Sequence, residues 1–225
     1  MKTVVITGSA RGLGLEMSKV FRKNNYNVVI SDLKEQTLKE AKKELEKIES
    51  KGTVEYCVCN VTYSEDIKTL IEFAKEKYTT IDIWINNAGV NQPMKSIWDL
   101  DSNVINRLVD IDLKGTILCS KNIMPIMIKQ KSGAVYNVEG YGSNDAKMLG
   151  LSVYGTCKRA VTYFTEALAK ESLESGNYVN VGKITPGIMI TNFICTSMGD
   201  GDKIELSDKT KNVYNISNNW QALLK

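Results

Sequence analysis

Thr7-Gly8-Ser9-Ala10-Arg11-Gly12-Leu13-Gly14 is the stretch on which the reading of this chain turns. It follows a β-branched run, Thr3-Val4-Val5-Ile6, and opens an amphipathic stretch over about 12–24. Glycines at a strand-to-helix turn let the backbone approach a pyrophosphate closely, and the helix N-terminus presents unpaired N–H groups and a positive dipole end to it. Gly8, Ser9, Arg11, Gly12, Leu13 and Gly14 are therefore the candidate phosphate cradle. A second strand pattern ends in Asp32, where a carboxylate can accept both hydrogen bonds from an adenosine ribose diol.

Working outward, short β-branched runs alternate with longer amphipathic stretches. Strands are predicted at about 2–7, 27–32, 53–59, 81–86, 132–139 and 178–184, and helices at about 12–24, 34–50, 64–78, 101–129 and 152–175. Such alternation predicts an α/β domain, a doubly wound parallel sheet with helices on both faces, in the order 3-2-1-4-5-6 (the Rossmann fold). In 34–51 the apolar residues Leu38, Ala41, Leu45 and Ile48 form a single stripe, so the charges there are a solvated face. With no linker or repeat, residues 1–225 read as a single domain, and the polar, Gly-containing stretch 192–212 reads as a substrate lid.

Composition removes several classes of function. A balance of 29 Lys+Arg against 26 Asp+Glu leaves +3, too little for nucleic acid, and no basic tract supports one. No apolar run approaches the ~20 residues of a membrane span. Met1-Lys2 leads straight into the first strand pattern, so no signal peptide is read and a cytoplasmic location is expected. The chain has no histidine, which excludes Ser-His-Asp and Cys-His catalysis. Proton transfer falls to Tyr, Lys, acids, Cys or water. Cys57 and Cys59 lie two apart with no accompanying ligand cluster, so no metal is expected.

Three further motifs follow in order: Asn86-Asn87-Ala88-Gly89 after strand four, Tyr154-Gly155-Thr156-Cys157-Lys158 on a predicted helix, and Pro186-Gly187-Ile188-Met189-Ile190-Thr191 after strand six. Together with the glycine turn they resemble the short-chain dehydrogenase/reductase family across roughly residues 1–195. The resemblance implies a nicotinamide dinucleotide and hydride transfer between a carbonyl and an alcohol. It implies that Asn60 and Val61 flank the adenine, that Asn87, Ala88 and Gly89 line the cleft, and that Pro186, Gly187, Ile188 and Thr191 meet the nicotinamide. It also implies a homodimer or homotetramer.

Asp32 beside a 2′-phosphate would set two anions at contact range, which favours NAD over NADP. Arg11 and Lys34 argue the other way, toward NADP as the alternative. Tyr154 and Lys158 share a helix face, and a neighbouring ammonium with the positive nicotinamide favours the phenolate of a group that ordinarily titrates near pH 10. Tyr154 is thus the candidate general acid/base, assisted by Lys158.

Two departures stand against the family pattern. The usual serine after strand five falls on Gly140 when anchored on Asn137, or on Tyr141 when counted back from Tyr154. Losing such a donor costs roughly 10²–10³ in rate, and Ser143 in the following loop is the candidate substitute. Asp112 stands where Asn is usual and is the candidate relay residue behind the lysine. The loop Asn137-Val138-Glu139-Gly140-Tyr141-Gly142-Ser143 is similar to that of a subset including chlorophyll b reductases.

Val90, Asn91, Met94, Trp98, Tyr141, Met148, Leu149 and the segment from Met189 are candidate pocket walls, mostly apolar, so an apolar carbonyl or alcohol is the expected substrate. The competing reading, motivated by Gly140 and Asp112, is a cofactor-binding sensor or regulatory protein without catalytic power.

Overall fold

A computed structural model describes residues 1–176 and 179–186. Six strands, β1 (Thr3–Thr7), β2 (Asn27–Asp32), β3 (Val54–Val58), β4 (Ile83–Asn86), β5 (Gly133–Val138) and β6 (Val179–Ile184), form one parallel sheet. Its order is β3-β2-β1-β4-β5-β6, as the alternation predicts. The order reverses between β1 and β4, and in open α/β sheets ligands bind at such a switch point, outside the carboxyl ends of the strands.

Strand residues alternate between two cores. Val4, Ile6, Val28 and Ile30 pack with Met17 and Phe21 of α1 (Gly12–Lys23) and Leu38 and Leu45 of α2 (Glu35–Glu46). Val5, Val29, Trp84 and Val135 face the other side, against Ile67, Leu70 and Ile71 of α3 (Ser64–Tyr78) and Ile123 and Met127 of α5 (Thr116–Gln130). Leu168 of α6 (Ser152–Glu174) packs into this second core, so helices cover both faces. Among the described residues no helix is long and apolar enough to cross a membrane.

The long helix predicted at 101–129 is composite. A short α4 (Ser102–Leu108) runs into a π-helical segment, Val109–Gly115, before α5 begins. Such wide turns concentrate at functional sites, and this one carries Asp112. Gly115 lets the segment close down on Val61, where a Cβ would stand 2.8 Å from Val61 Cγ2.

Candidate active site

The glycine turn is built as its sequence requires. Gly8 and Gly12 have φ of +63° and +57°, a region that side chains rarely adopt. A Cβ on Gly14 would stand 2.6 Å from Asn87 Nδ2, and one on Gly8 would stand 2.6 Å from Ala88 Cα. The turn and the loop after β4 thus touch. Asn87 Nδ2 donates to Thr7 O (2.9 Å) and Gly8 O (2.8 Å), while Thr7 Oγ1 accepts from the N–H groups of Asn87 and Ala88 at 3.1 Å each.

No side chain caps the N-terminus of α1, where Arg11 stands at the cap position. Four N–H groups at a helix start lack intrahelical partners, and here that end opens toward the switch point. This is a fit for an anionic pyrophosphate. Leu13 packs on the core behind the turn. The Ser9 hydroxyl is used within the turn, donating to Ile6 O (2.6 Å) and accepting from Ser31 N–H (2.9 Å), so Ser9 braces β1 on β2. The Asp32 carboxylate is at the turn, with Oδ2 3.4 Å from Ala10 N and Oδ1 accepting from Leu33 N–H at 2.8 Å. Asn60 Oδ1 accepts from the Thr62 N–H and hydroxyl, and Val61 is buried in the core.

The rim continues from the β4 loop to the second half of the site. Gly89 has Asp112 Oδ2 at 3.3 Å from its Cβ position, and Val90 N–H donates to Asp112 Oδ1 at 2.8 Å. Asp112 is fully buried, and its Oδ2 lies 3.5 Å from Lys158 Nζ, itself 7% exposed. Lys158 Nζ also donates to Val138 O at 3.4 Å and stands 5.6 Å from the centre of the Tyr154 ring. Tyr154, Lys158 and Asp112 are therefore together, at the end of the sheet that carries the glycine turn.

The charges in this group differ from the expected pattern. Burial pushes the Tyr154 phenol up; Lys158 pulls it down, and Asp112 pushes it up again, so the net direction is upward. Burial is the largest single influence on the Lys158 ammonium and opposes it, but Asp112, Tyr154 and Cys157 together outweigh burial, so the net direction is upward and the lysine stays protonated. Burial pushes Asp112 up against the pull of Lys158. The protein's own groups thus favour the phenol, because burial, with the Asp112 carboxylate adding to it, outweighs the pull of the lysine.

At Gly140 the structure explains the missing serine in steric terms. A Cβ there would overlap the Tyr154 hydroxyl and stand 3.2 Å from Lys158 Cε. Tyr154 occupies the space a side chain would need. Installing a serine at this position, Gly140→Ser, is expected to lower kcat about 10²-fold by displacing the phenol roughly an ångström. Steady-state kinetics check this, and a gain in kcat would contradict it.

Ser143 is buried, on a turn folded back over α6. Its N–H donates to Gly140 O (3.1 Å), Arg159 Nη1 donates to its carbonyl (2.9 Å), and Gly142 packs on Gly155. Gly187, Ile188 and Thr191, with the 192–212 lid, lie outside the described residues, while Pro186 ends them after β6.

Two residues without a role in the sequence reading emerge here. Gln92, fully buried, accepts on Oε1 from the N–H groups of Val153 (3.1 Å) and Tyr154 (2.9 Å), and its Nε2 donates to Gly150 O (2.8 Å). It caps α6 from a distance. The available signal was that Leu151, at the N-cap of α6, has no side chain able to cap it. The other is Glu139, a buried acid directly after β5.

A glycine turn at the switch point and a Tyr-x-x-x-Lys pair over the same sheet edge define a dinucleotide-binding domain of the Rossmann kind. The chain belongs to the short chain dehydrogenase family, whose profile matches residues 2–198. It is similar to a probable chlorophyll(ide) b reductase of Oryza sativa subsp. japonica, 34% identical over 209 residues covering 86% of this chain and 41% of that protein. A second chlorophyll(ide) b reductase of the same plant is 31% identical over 194 residues, 85% of this chain and 57% of that protein. The chain thus spans about half the length of these relatives. The crystal structure of levodione reductase shares the fold, with a TM-score of 0.81 at 23% identity over 87% of this chain and 75% of that one.

Proposed function

We propose that this protein is an NAD(P)-dependent oxidoreductase that interconverts an apolar carbonyl compound and its alcohol, with NAD(H) preferred. The observation that carries the reading is the continuous rim from the glycine turn through Asn87, Gly89 and Asp112 to Lys158 and Tyr154. A bound nicotinamide dinucleotide supplies or accepts the hydride. The chain's residues do the rest. The α1 N-terminus binds the pyrophosphate, and Asp32 orients the adenosine ribose by accepting from its hydroxyls. Tyr154 passes its hydroxyl proton to the carbonyl oxygen in reduction and takes it back in oxidation. Lys158 holds positive charge beside the phenol, Asp112 fixes the lysine, and Ser143 supplies the hydrogen bond that Gly140 lacks.

Exposed Met94 and Trp98 on one loop, and Met148 and Leu149 on another, support the apolar substrate. The two loops meet where Gly150 packs on Met94 and Lys95. Cytosolic location and homodimeric or homotetrameric assembly belong to the same proposal.

Fluorescence titration with NADH and NADPH tests the cofactor reading. Tighter NADH binding is expected, because the Asp32 carboxylate repels a 2′-phosphate; a tenfold preference for NADPH would overturn it. The Asp112 effect has its own sign. Asp112 pushes Tyr154 up, so Asp112→Asn is expected to move the rising limb of the alcohol-oxidation pH profile to lower pH. The falling limb of ketone reduction moves the same way. A limb that stays in place would separate Asp112 from the proton-transfer step.

A further inference from the structure

Glu139 stands directly after β5, one residue before Gly140, with its side chain 4% exposed. A buried carboxylate is costly unless its oxygens are hydrogen-bonded or paired. Both oxygens here are engaged, each toward a different element. Oε1 accepts from the Thr162 hydroxyl at 2.7 Å, and Oε2 accepts from the Thr185 hydroxyl at 2.7 Å. Lys183 Nζ pairs with Oε1 at 3.5 Å and with Glu166 at 2.9 Å. The Glu139 N–H donates to Ile184 O at 2.9 Å.

The placement of these partners gives the contact its meaning. Thr162 is one helical turn beyond Lys158 on α6, and its hydroxyl also lies 3.1 Å from Lys158 O. Thr185 is the first residue after β6 and immediately precedes Pro186. Thr185 is exposed, yet its hydroxyl turns inward to a buried acid. A single carboxylate therefore ties the helix carrying Tyr154 and Lys158 to the start of the segment after β6.

We infer that Glu139 is a positioning residue for the nicotinamide end of the cofactor, holding Thr185 and Pro186 in register with the catalytic face of α6. This rests on the proposed function and on the family resemblance, which implies that Pro186 meets the nicotinamide. The pyrophosphate and adenosine sites lie across the switch point and do not depend on Glu139.

Comparing NADH with ADP-ribose, which lacks the nicotinamide, tests this in the full-length protein. Thr185→Val removes one hydroxyl at an exposed position and leaves the buried acid in place; Glu139→Gln removes the charge. A hydrogen bond to a charged group is worth enough to predict about a tenfold loss of NADH affinity in each variant. ADP-ribose affinity is expected to stay within about twofold, and Thr185→Ser, which keeps the hydroxyl, to bind NADH as the natural protein does. Equal losses for NADH and ADP-ribose, or no loss for either, would overturn the inference while leaving the cofactor reading intact. A natural protein that binds ADP-ribose no worse than NADH would overturn the inference alone, and one that binds neither would remove the proposed function as well.

Discussion

Tyr154→Phe is expected to reduce turnover about 10²–10⁴-fold, the range that a positioned general acid contributes, while the dissociation constant for the nicotinamide cofactor stays unchanged. The variant keeps the buried ring that packs with Leu108 and Cys157 and loses the hydroxyl beside Gly140. A thermal melt of the variant beside the kinetics separates the kinetic loss from any loss of fold. Because the chain has no histidine, no imidazole can take over the proton. The same variant separates the enzyme from the sensor reading. If the protein's biological output survives Tyr154→Phe, the output comes from cofactor binding alone.

Lys158→Met is expected to cost about 3–5 kcal/mol of stability in addition to activity, because it leaves the buried Asp112 carboxylate without its counter-charge. For a domain of this size that is a fall in Tm on the order of 10 °C. Pairing it with Asp112→Asn removes the orphaned charge, so the double variant is expected to recover most of the loss. The pH dependence follows from the same group. Burial already raises Asp112 in the folded protein. Without the lysine that shift grows, so the penalty is full above the folded pKa and fades as acid neutralises the carboxylate below it. Thermal denaturation of both variants across pH checks this; equal losses in the single and double variants would show that the two charges are not coupled.

How much of this was legible in the chain depended on how local each cause is. The six strands and their order were readable because each strand carries its own β-branched run, and right-handed crossovers leave few alternatives. The glycine turn was readable because its conformation is set within eight residues. The break between α4 and α5 was not. Val109 and Leu113, four apart, fit a helix pattern, and the wide turn is seen only where Val61 packs on Gly115. Gln92 and Glu139 were hidden for a related reason. Gln92 bonds residues 58–62 positions away, and Glu139 bonds residues 23 and 46 positions away, so no window of sequence contains either constellation. The departure at Gly140 was visible as a missing serine, but its cause, the Tyr154 hydroxyl in that space, is a three-dimensional fact.

The expectation that Tyr154 is driven toward its phenolate was incomplete in an instructive way. Sequence spacing showed the lysine and could not weigh it against burial and Asp112, which together leave the phenol raised. A raised phenol suits proton donation, the ketone-reducing direction, at neutral pH.

The most direct test of the account is hydride transfer itself. The protein would be incubated with NADH deuterated at the nicotinamide C4 and a panel of cyclic and aromatic ketones, and the alcohols examined by mass spectrometry. The account predicts alcohol product carrying one deuterium at the former carbonyl carbon, formed by the natural protein and nearly absent with Tyr154→Phe. Cofactor that binds but never labels an alcohol, across the panel and with NADPH as well, would contradict the oxidoreductase reading and leave a cofactor-binding protein in its place.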